Sequence, residues 1–466
     1  MGKVTCFCIT AVLLCFVVQG KIHEDHPHND DDHSNGQGHH QECEHHKGHG
    51  HHQGRGHHQG RGHYHGYGHH HGRGHGHGHG HHHGHKHHHN CSLDVQPAIN
   101  EFGFSLYKHI AAQPDAKSKN IIFSPLSIST ALAMLSLGAK GKTHDELFQG
   151  LGFNDTHITE AEVNEAFEKI LQSLSRKKEV DLSVGNAVFI REGFKPLQTF
   201  LEDIKQYYHS EGFTVDFTNT TAALRLINKY VEDKTHGKIP HFIDDLNQDM
   251  VMFLVSSIFF RGKWEIPFDP RATLQDVFHV DDNKTVPIQM MHKDGSFDVY
   301  HDKESSTHVL RLGYKGGVSM ILLLPEREVK DLEESWCREH LRKWHRSAKK
   351  QRVSLSLPKF SLSTSYSLKD ILSEMGMKDM FERSADLSGI SKDNVFVSKV
   401  DHKATLDVDE VGTSATAGTG IEILLGSSLF PPPLTLTFNR PFHFVISNHE
   451  TRSILFMGKI VNPTAK

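Results

Sequence analysis

Between His23 and His89 the 466-residue sequence contains no valine, leucine, isoleucine or methionine. A stretch of that length without aliphatic side chains cannot bury a core, so it is excluded as a folded domain. Histidine fills it instead: 28 of the chain's 43 lie there, set among Gly, Gln, Arg and a few acids. An excess of either charge is also missing. Lys and Arg number 51 against 56 Asp and Glu, a formal net charge of −5, which argues against nucleic-acid binding through overall charge. The histidines, with reference pKa values near ~6.5, make the tract strongly cationic only in mild acid. No apolar run of ~18 residues follows the N-terminus, so no membrane span is expected. A nucleophile elbow, a Walker loop and a paired-cysteine motif are all lacking, and HETRS at 449–453 lacks the second His of HExxH. No enzyme is expected.

Cysteine is scarce, and half of it sits at the extreme N-terminus. Residues 1–20, MGKVTCFCITAVLLCFVVQG, carry Lys3 and then an apolar run over 4–18. That run is too short and too poorly flanked for a span, and reads as a signal peptide with Lys21 as the mature start. Secretion follows as an expectation, and the sequons at Asn90, Asn154, Asn219 and Asn283 fit a glycoprotein. Removing the signal takes Cys6, Cys8 and Cys15 and leaves Cys43, Cys91 and Cys337. Three thiols cannot all pair within one chain. Cys43 and Cys91 bracket the His tract and could close it into a loop.

From Gly50 the tract repeats with a period of six, GHHQGR, GHHQGR, GHYHGY, GHHHGR, and then decays into Gly-His alternation. Glycine at that density favours a flexible chain, so residues 21–92 are expected to be disordered. Residues 93–466 differ, with aliphatic and aromatic side chains throughout. Helical periodicity occupies 99–112, 125–137, 160–174, 197–208, 221–235 and 368–375. Strand-like runs occupy 182–190, 251–260, 318–324, 353–357, 395–408, 434–438 and 442–447. Helices come first and strands dominate later, which predicts an α+β fold with a large, mostly antiparallel sheet. One segment fits no core element: EVGTSATAGTGIEILLGSSLFPPP, from Glu410, is small and flexible, then apolar, then broken by Pro431–Pro433. A loop that long in a compact domain is functional or disordered.

A series of motifs places the body. NIIFSPLSISTALAMLSLGAKGKTHDELFQGLGF (120–153), INKYVEDKTHGKIPHFI (227–243), SSIFFRGKWEIPFDP (256–270), LPKFSLSTSYSLKDIL, ADLSGI, DVDEVGTSATA and FNRPFHFVISNHETRSILFMGKIVNP occur in that order. Together they resemble the serpins over essentially all of residues 93–466, with the extracellular α1-antitrypsin and α1-antichymotrypsin group nearest. The added tract is similar to that of a histidine-rich, nickel-binding member of the family. The resemblance implies a metastable fold whose exposed loop baits a serine protease; cleavage lets the loop enter the main sheet as a new strand and distorts the acylated protease. It also implies a monomer needing no cofactor for inhibition.

Residue by residue, the resemblance makes Glu410, Gly412, Thr413, Ala415, Thr416, Ala417 and Gly418 the hinge. Their small or β-compatible side chains suit entry between two strands, where a proline or charge beyond Glu410 would oppose it. Family spacing puts the scissile bond between Gly426 and Ser427, or between Leu425 and Gly426 with a shift of one. The apolar neighbours Ile423, Leu424 and Leu425, and the lack of Lys or Arg between Glu410 and Phe438, point to a chymotrypsin-like or elastase-like target. Under the sheet opening the resemblance places a polar cluster of Ser124, Ser127, a sheet Asn and His402. At the Asn position stands Ser256, which implies a rearranged or hydrated network.

Imidazole ligates zinc, copper and nickel, so the tract is expected to bind these ions through His69, His70, His71, His75, His77, His79, His81, His82, His83, His85, His87, His88 and His89. A separate copper(II) or nickel(II) site is expected at a mature Lys21-Ile22-His23 terminus. There the α-amine, two amides and the His23 imidazole supply four nitrogens for a square plane. Finally, Arg338, Arg342, Lys343, Arg346, Lys349 and Lys350 recur at spacings of three and four, a pattern that fits a solvated helical face or a weak site for heparin or another polyanion. No sequence-specific nucleic-acid partner is expected.

Overall fold

The computed structural model describes residues 95–154, 158–177, 179–410 and 432–465, all within one compact unit. The signal segment, the His tract with its metal ligands, the N-terminal Lys21-Ile22-His23 motif, Cys43, Cys91, Asn90, the hinge beyond Glu410 and the Leu425–Ser427 region lie outside the described residues.

The first third of the body is helical: α1 (Gln96–Ala111), α2 (Pro125–Ser136), α3 (Gly141–Gly150), α4 (Glu160–Ser175), α5 (Gln198–Tyr208) and α6 (Thr220–Lys234). Helix α4 opens on a full capping box in which Thr159 and Glu162 satisfy each other's backbone donors. In α2, PLSISTALAMLS, every residue is buried, as a helix apolar all round requires. Three shorter helices follow: α7 (Val329–Ser335), α8 (Arg338–Ser347) and α9 (Lys369–Glu374).

Strands β1 (Ile121–Phe123), β5 (Leu274–Asp281), β6 (Lys284–Asp302), β7 (Thr307–Tyr314), β8 (Val318–Pro325), β9 (Lys349–Pro358), β12 (Leu434–Thr437), β13 (Phe442–Asn448) and β14 (Ile454–Ile460) form one sheet in the order β1-β14-β13-β8-β7-β6-β9-β12, with β5 beside β6. This sheet is antiparallel except where β12 runs parallel to β9. The second sheet has the order β10-β11-β4-β2-β3, built from β2 (Val180–Arg191), β3 (Glu211–Val215), β4 (Met252–Gly262), β10 (Phe360–Ser367) and β11 (Lys399–Val408). It is mixed, with β4 parallel to β11 and β2 parallel to β3.

The expected run 395–408 begins as a strand only at Lys399. Val395 and Val397 are buried, but the backbone before Lys399 is tied elsewhere: Val397 N donates to Met380 O and Ser398 N to Met252 O, each at 2.8 Å. Strand β4, MFLVSSIFFRG, is buried along almost its whole length, which is why it reads as a continuous apolar run and not as an alternation. It ends at Gly262, where an added Cβ would lie 2.4 Å from a Tyr314 ring carbon; only glycine admits that approach.

Candidate functional site

Along the chain, segment 411–431 connects strands of the two sheets. Its near end follows β11 in the five-stranded sheet, and its far end leads into β12 of the nine-stranded one. Strand β11 pairs with β4 in parallel from Lys399↔Phe253 to Asp407↔Arg261, with no strand between them.

At the lower half of the β4–β11 seam, three strands bring polar side chains into one row. Asn186 on β2 is opposite Ser256 on β4, which is opposite His402 on β11. All three are buried, as are Ser124 and Ser127 at the N-terminus of α2. Ser124 is the N-cap: its Oγ accepts from Ser127 N at 3.0 Å, with Pro125 opening the helix. Its backbone N–H donates to His402 Nε2 at 3.1 Å, which makes Nε2 the acceptor and leaves the proton on Nδ1. Nδ1 then donates to Ser256 Oγ at 3.0 Å. Ser127 Oγ gives its single proton to Asn186 Oδ1 at 3.1 Å, so it accepts from Ser256 Oγ at 2.9 Å. Asn186 Nδ2 closes the circuit on Ser127 O at 3.2 Å. Every link is satisfied in one direction. Burial pushes the His402 imidazole down to about 3, so it stays neutral, as the circuit needs.

Ser124, Ser127, Ser256 and His402 are brought together, and the network is a rearranged one: Ser256 stands on β4 at the position where the resemblance puts an asparagine, and an amide enters from Asn186 on the neighbouring strand β2. The signal was a lone amide in the apolar run VGNAVFI, where a buried polar group demands partners.

The other end of the seam holds Asp409 and Glu410, the last described residues before segment 411–431. Asp409 pairs with Arg261 at 2.5 Å, and its carbonyl accepts from Trp264 Nε1 at 2.7 Å. Trp264 stacks on Tyr314 with centroids 4.0 Å apart. Glu410, buried, has its backbone carbonyl bound by Phe268 N at 2.9 Å and its carboxylate held by Lys359 Nζ at 2.8 Å and Thr273 Oγ1 at 2.9 Å. Burial opposes its charge, but these donors outweigh burial and hold the carboxyl below the usual range. None of these partners was singled out from the sequence.

Among the other candidates, Asn154, Asn219 and Asn283 are exposed. Asn219 caps α6 through Oδ1, which accepts from Ala222 N at 3.2 Å; a glycan on Nδ2 leaves that bond intact. The basic cluster is not one helical face. Arg338, Arg342, Lys343 and Arg346 are on α8, whereas Lys349 and Lys350 begin β9. Lys343 is held by Asp302 at 2.9 Å and Glu304 at 2.5 Å. Arg338 and Arg342 share Glu339 at 3.5 and 3.0 Å, and Lys350 lies 3.7 Å from Asp298. Arg346 and Lys349 are exposed and form no ion pair among the described residues. Cys337 is the N-cap residue of α8, half-buried, with Sγ 3.3 Å from His340 Nδ1.

A profile described as "Serpin (serine protease inhibitor)" matches residues 97–463. Alpha-1-antiproteinase 2 of Equus caballus is 44% identical over 375 residues, 80% of this chain and 88% of that protein. An alpha-1-antitrypsin-like protein of Tamias sibiricus is 43% identical over 373 residues, 79% of this chain and 89% of its own length. Among solved structures, human thyroxine-binding globulin with bound thyroxine matches with a TM-score of 0.75 at 38% identity, over 80% of this chain and 100% of that one. Mouse protein-Z dependent protease inhibitor matches with a TM-score of 0.74 at 33% identity, over 80% and 98%.

Proposed function

The chain belongs to the serpin family of serine protease inhibitors, and we propose that it traps a chymotrypsin-like or elastase-like serine protease by suicide cleavage within 411–431. The protease serine attacks the carbonyl of Gly426, or of Leu425, and forms an ester while the amine of the next residue leaves. The freed hinge then folds back antiparallel to β11 and enters the β4–β11 seam before water cleaves that ester, carrying the acylated protease with it.

The observation that supports this most is the parallel β4–β11 pairing, with the bait's near end continuing directly from β11. A strand returning from β11 is antiparallel to both β11 and β4, so its entry exchanges one parallel ladder for two antiparallel ones, which pair somewhat better per residue. Gly412, Thr413, Ala415, Thr416, Ala417 and Gly418 bring no charge or proline to the gap. Nicking the purified protein once within 411–431 tests the step: insertion markedly raises the melting temperature of the nicked product. An unchanged or lower one contradicts insertion.

Secretion after Gly20, glycosylation at the four sequons, and binding of nickel, copper or zinc by the His tract complete the reading. A carrier role is the second reading, favoured by the likeness to human thyroxine-binding globulin and by the 28 histidines themselves. Covalent trapping of a protease separates the two.

A further inference from the structure

The β6–β7 hairpin sets His301 and His308 directly opposite each other. Paired residues in a ladder face the same side of the sheet, and the two imidazoles stack with centroids 4.5 Å apart and planes 20° apart. The adjacent pair, Asp302 and Thr307, is fully buried. There Asp302 accepts from Trp344 Nε1 at 2.7 Å and from Lys343 Nζ at 2.9 Å, which fastens the hairpin and fixes where the histidine rings stand. Strand β8 brings in the third side chain. Thr307 is opposite Pro325, and Glu326, one residue on, donates its backbone N–H to Ser306 O at 2.8 Å. Its Oε1 lies 2.9 Å from His301 Nε2 and 3.5 Å from His308 Nε2.

We propose that His301, His308 and Glu326 form a zinc site on the folded body, separate from the His-rich tract, with a fourth position for water. The three ligand atoms lie within 4.8 Å of one another. Around a tetrahedral zinc with bonds of about 2.0–2.2 Å, neighbouring ligand atoms stand roughly 3.4 Å apart, so the side chains need only small movements to bind. Two imidazoles and one carboxylate are a donor set zinc accepts with one position open, whereas magnesium and calcium require mostly oxygen ligands. A cavity of about 590 Å³, lined by His301, His308, Val299, Lys349, Gln351 and Leu434, opens beside the rings and gives water access. The cations nearby are Lys349 on the cavity wall and Arg440, whose guanidinium donates to Pro325 O at 2.8 Å. With Glu326 as the carboxylate ligand and these two cations close, the site binds more weakly than a four-ligand structural site.

Because the tract takes up zinc as well, the test reads individual residues in the full-length protein. Free zinc is set at micromolar levels by a chelator buffer, and diethylpyrocarbonate modification of each histidine is quantified on peptides by mass spectrometry. Zinc is expected to lower modification of His301 and His308 several-fold while leaving the exposed His209 and His236 unchanged. In Glu326→Gln, with its melting temperature checked, that protection should need about ten-fold more zinc. Equal modification of His301 and His308 with and without zinc in the unaltered protein overturns the site, and so does full protection in a folded Glu326→Gln at the original zinc level.

Discussion

Ser256 Oγ and His402 Nδ1 are 3.0 Å apart across the seam where β4 and β11 run parallel. A strand entering that seam must part these two residues, and with them the circuit that runs on to Ser127 and Asn186. The circuit therefore belongs to the closed sheet, and its strength sets part of the cost of opening.

Replacing His402 by Ala leaves the Ser124 N–H without an acceptor, takes from Ser256 Oγ the proton it accepts while its bond to Ser127 Oγ remains, and opens a cavity. Leaving buried groups unsatisfied costs about 1–3 kcal/mol each, so the variant should unfold at clearly lower urea. Uptake of a labelled peptide spanning residues 412–424 should also quicken several-fold. Equal uptake rates in variant and parent would separate the circuit from sheet opening.

The same residue makes stability fall with acid. The folded pKa of His402 lies at about 3 because of burial, and the unfolded chain restores about 6.5. Between these values the unfolded state binds a proton that the folded state does not. The contribution is complete above about pH 6.5 and declines as the pH drops toward 3, by up to ~1.4 kcal/mol per pH unit. His443 acts in the same sense, since burial outweighs the nearby Glu333. Urea midpoints measured from pH 7 to pH 4 should fall less steeply in His402→Gln than in the parent; identical slopes refute the assignment.

For polyanions, the uncommitted charges should matter more than the paired ones. Lys343 is already held by two carboxylates, whereas Arg346 and Lys349 face solvent. A double change of Arg346 and Lys349 to Ala should lower the salt needed for heparin elution more than Lys343→Ala does. The reverse order would mean that α8 and β9 do not form the site.

At the N-terminus, Lys21-Ile22-His23 should give a square-planar nickel(II) absorption band if the mature chain starts at Lys21. His23→Ala should remove the band while leaving zinc uptake by the tract. Sequencing of the mature terminus comes first, and a band that persists in the variant rejects the motif.

The body's class was legible because its periodic segments are long and strongly apolar: α2 and β4 stand out from composition alone. Local sequence did not reveal pairings between distant residues. Strand β14, ILFMGKI, contains Lys459, buried only because Glu333 lies 2.8 Å away, and no local pattern announces that partner. Helix α3 has only Thr143, Leu147 and Phe148 buried, too few for a stripe. The expectation of a hinge beyond Glu410 rests on side-chain size, whereas Arg261, Trp264 and Lys359, which hold Asp409 and Glu410, are scattered over about a hundred positions and meet only when β4, β10 and β11 assemble. Asn186 was hidden for the same reason: its partner Ser127 is 59 residues away.

The most direct measurement mixes the protein with chymotrypsin or elastase and resolves the products on a denaturing gel. The account predicts a band at the summed mass of protease and cleaved inhibitor, stable to detergent and heat, and rapid loss of protease activity. It further predicts that Thr413→Arg, which would bury a charge in the seam, gives cleaved protein and active protease in place of the band. Cleavage without any covalent band in the unaltered protein, or an undiminished band in Thr413→Arg, would contradict strand insertion as the mechanism.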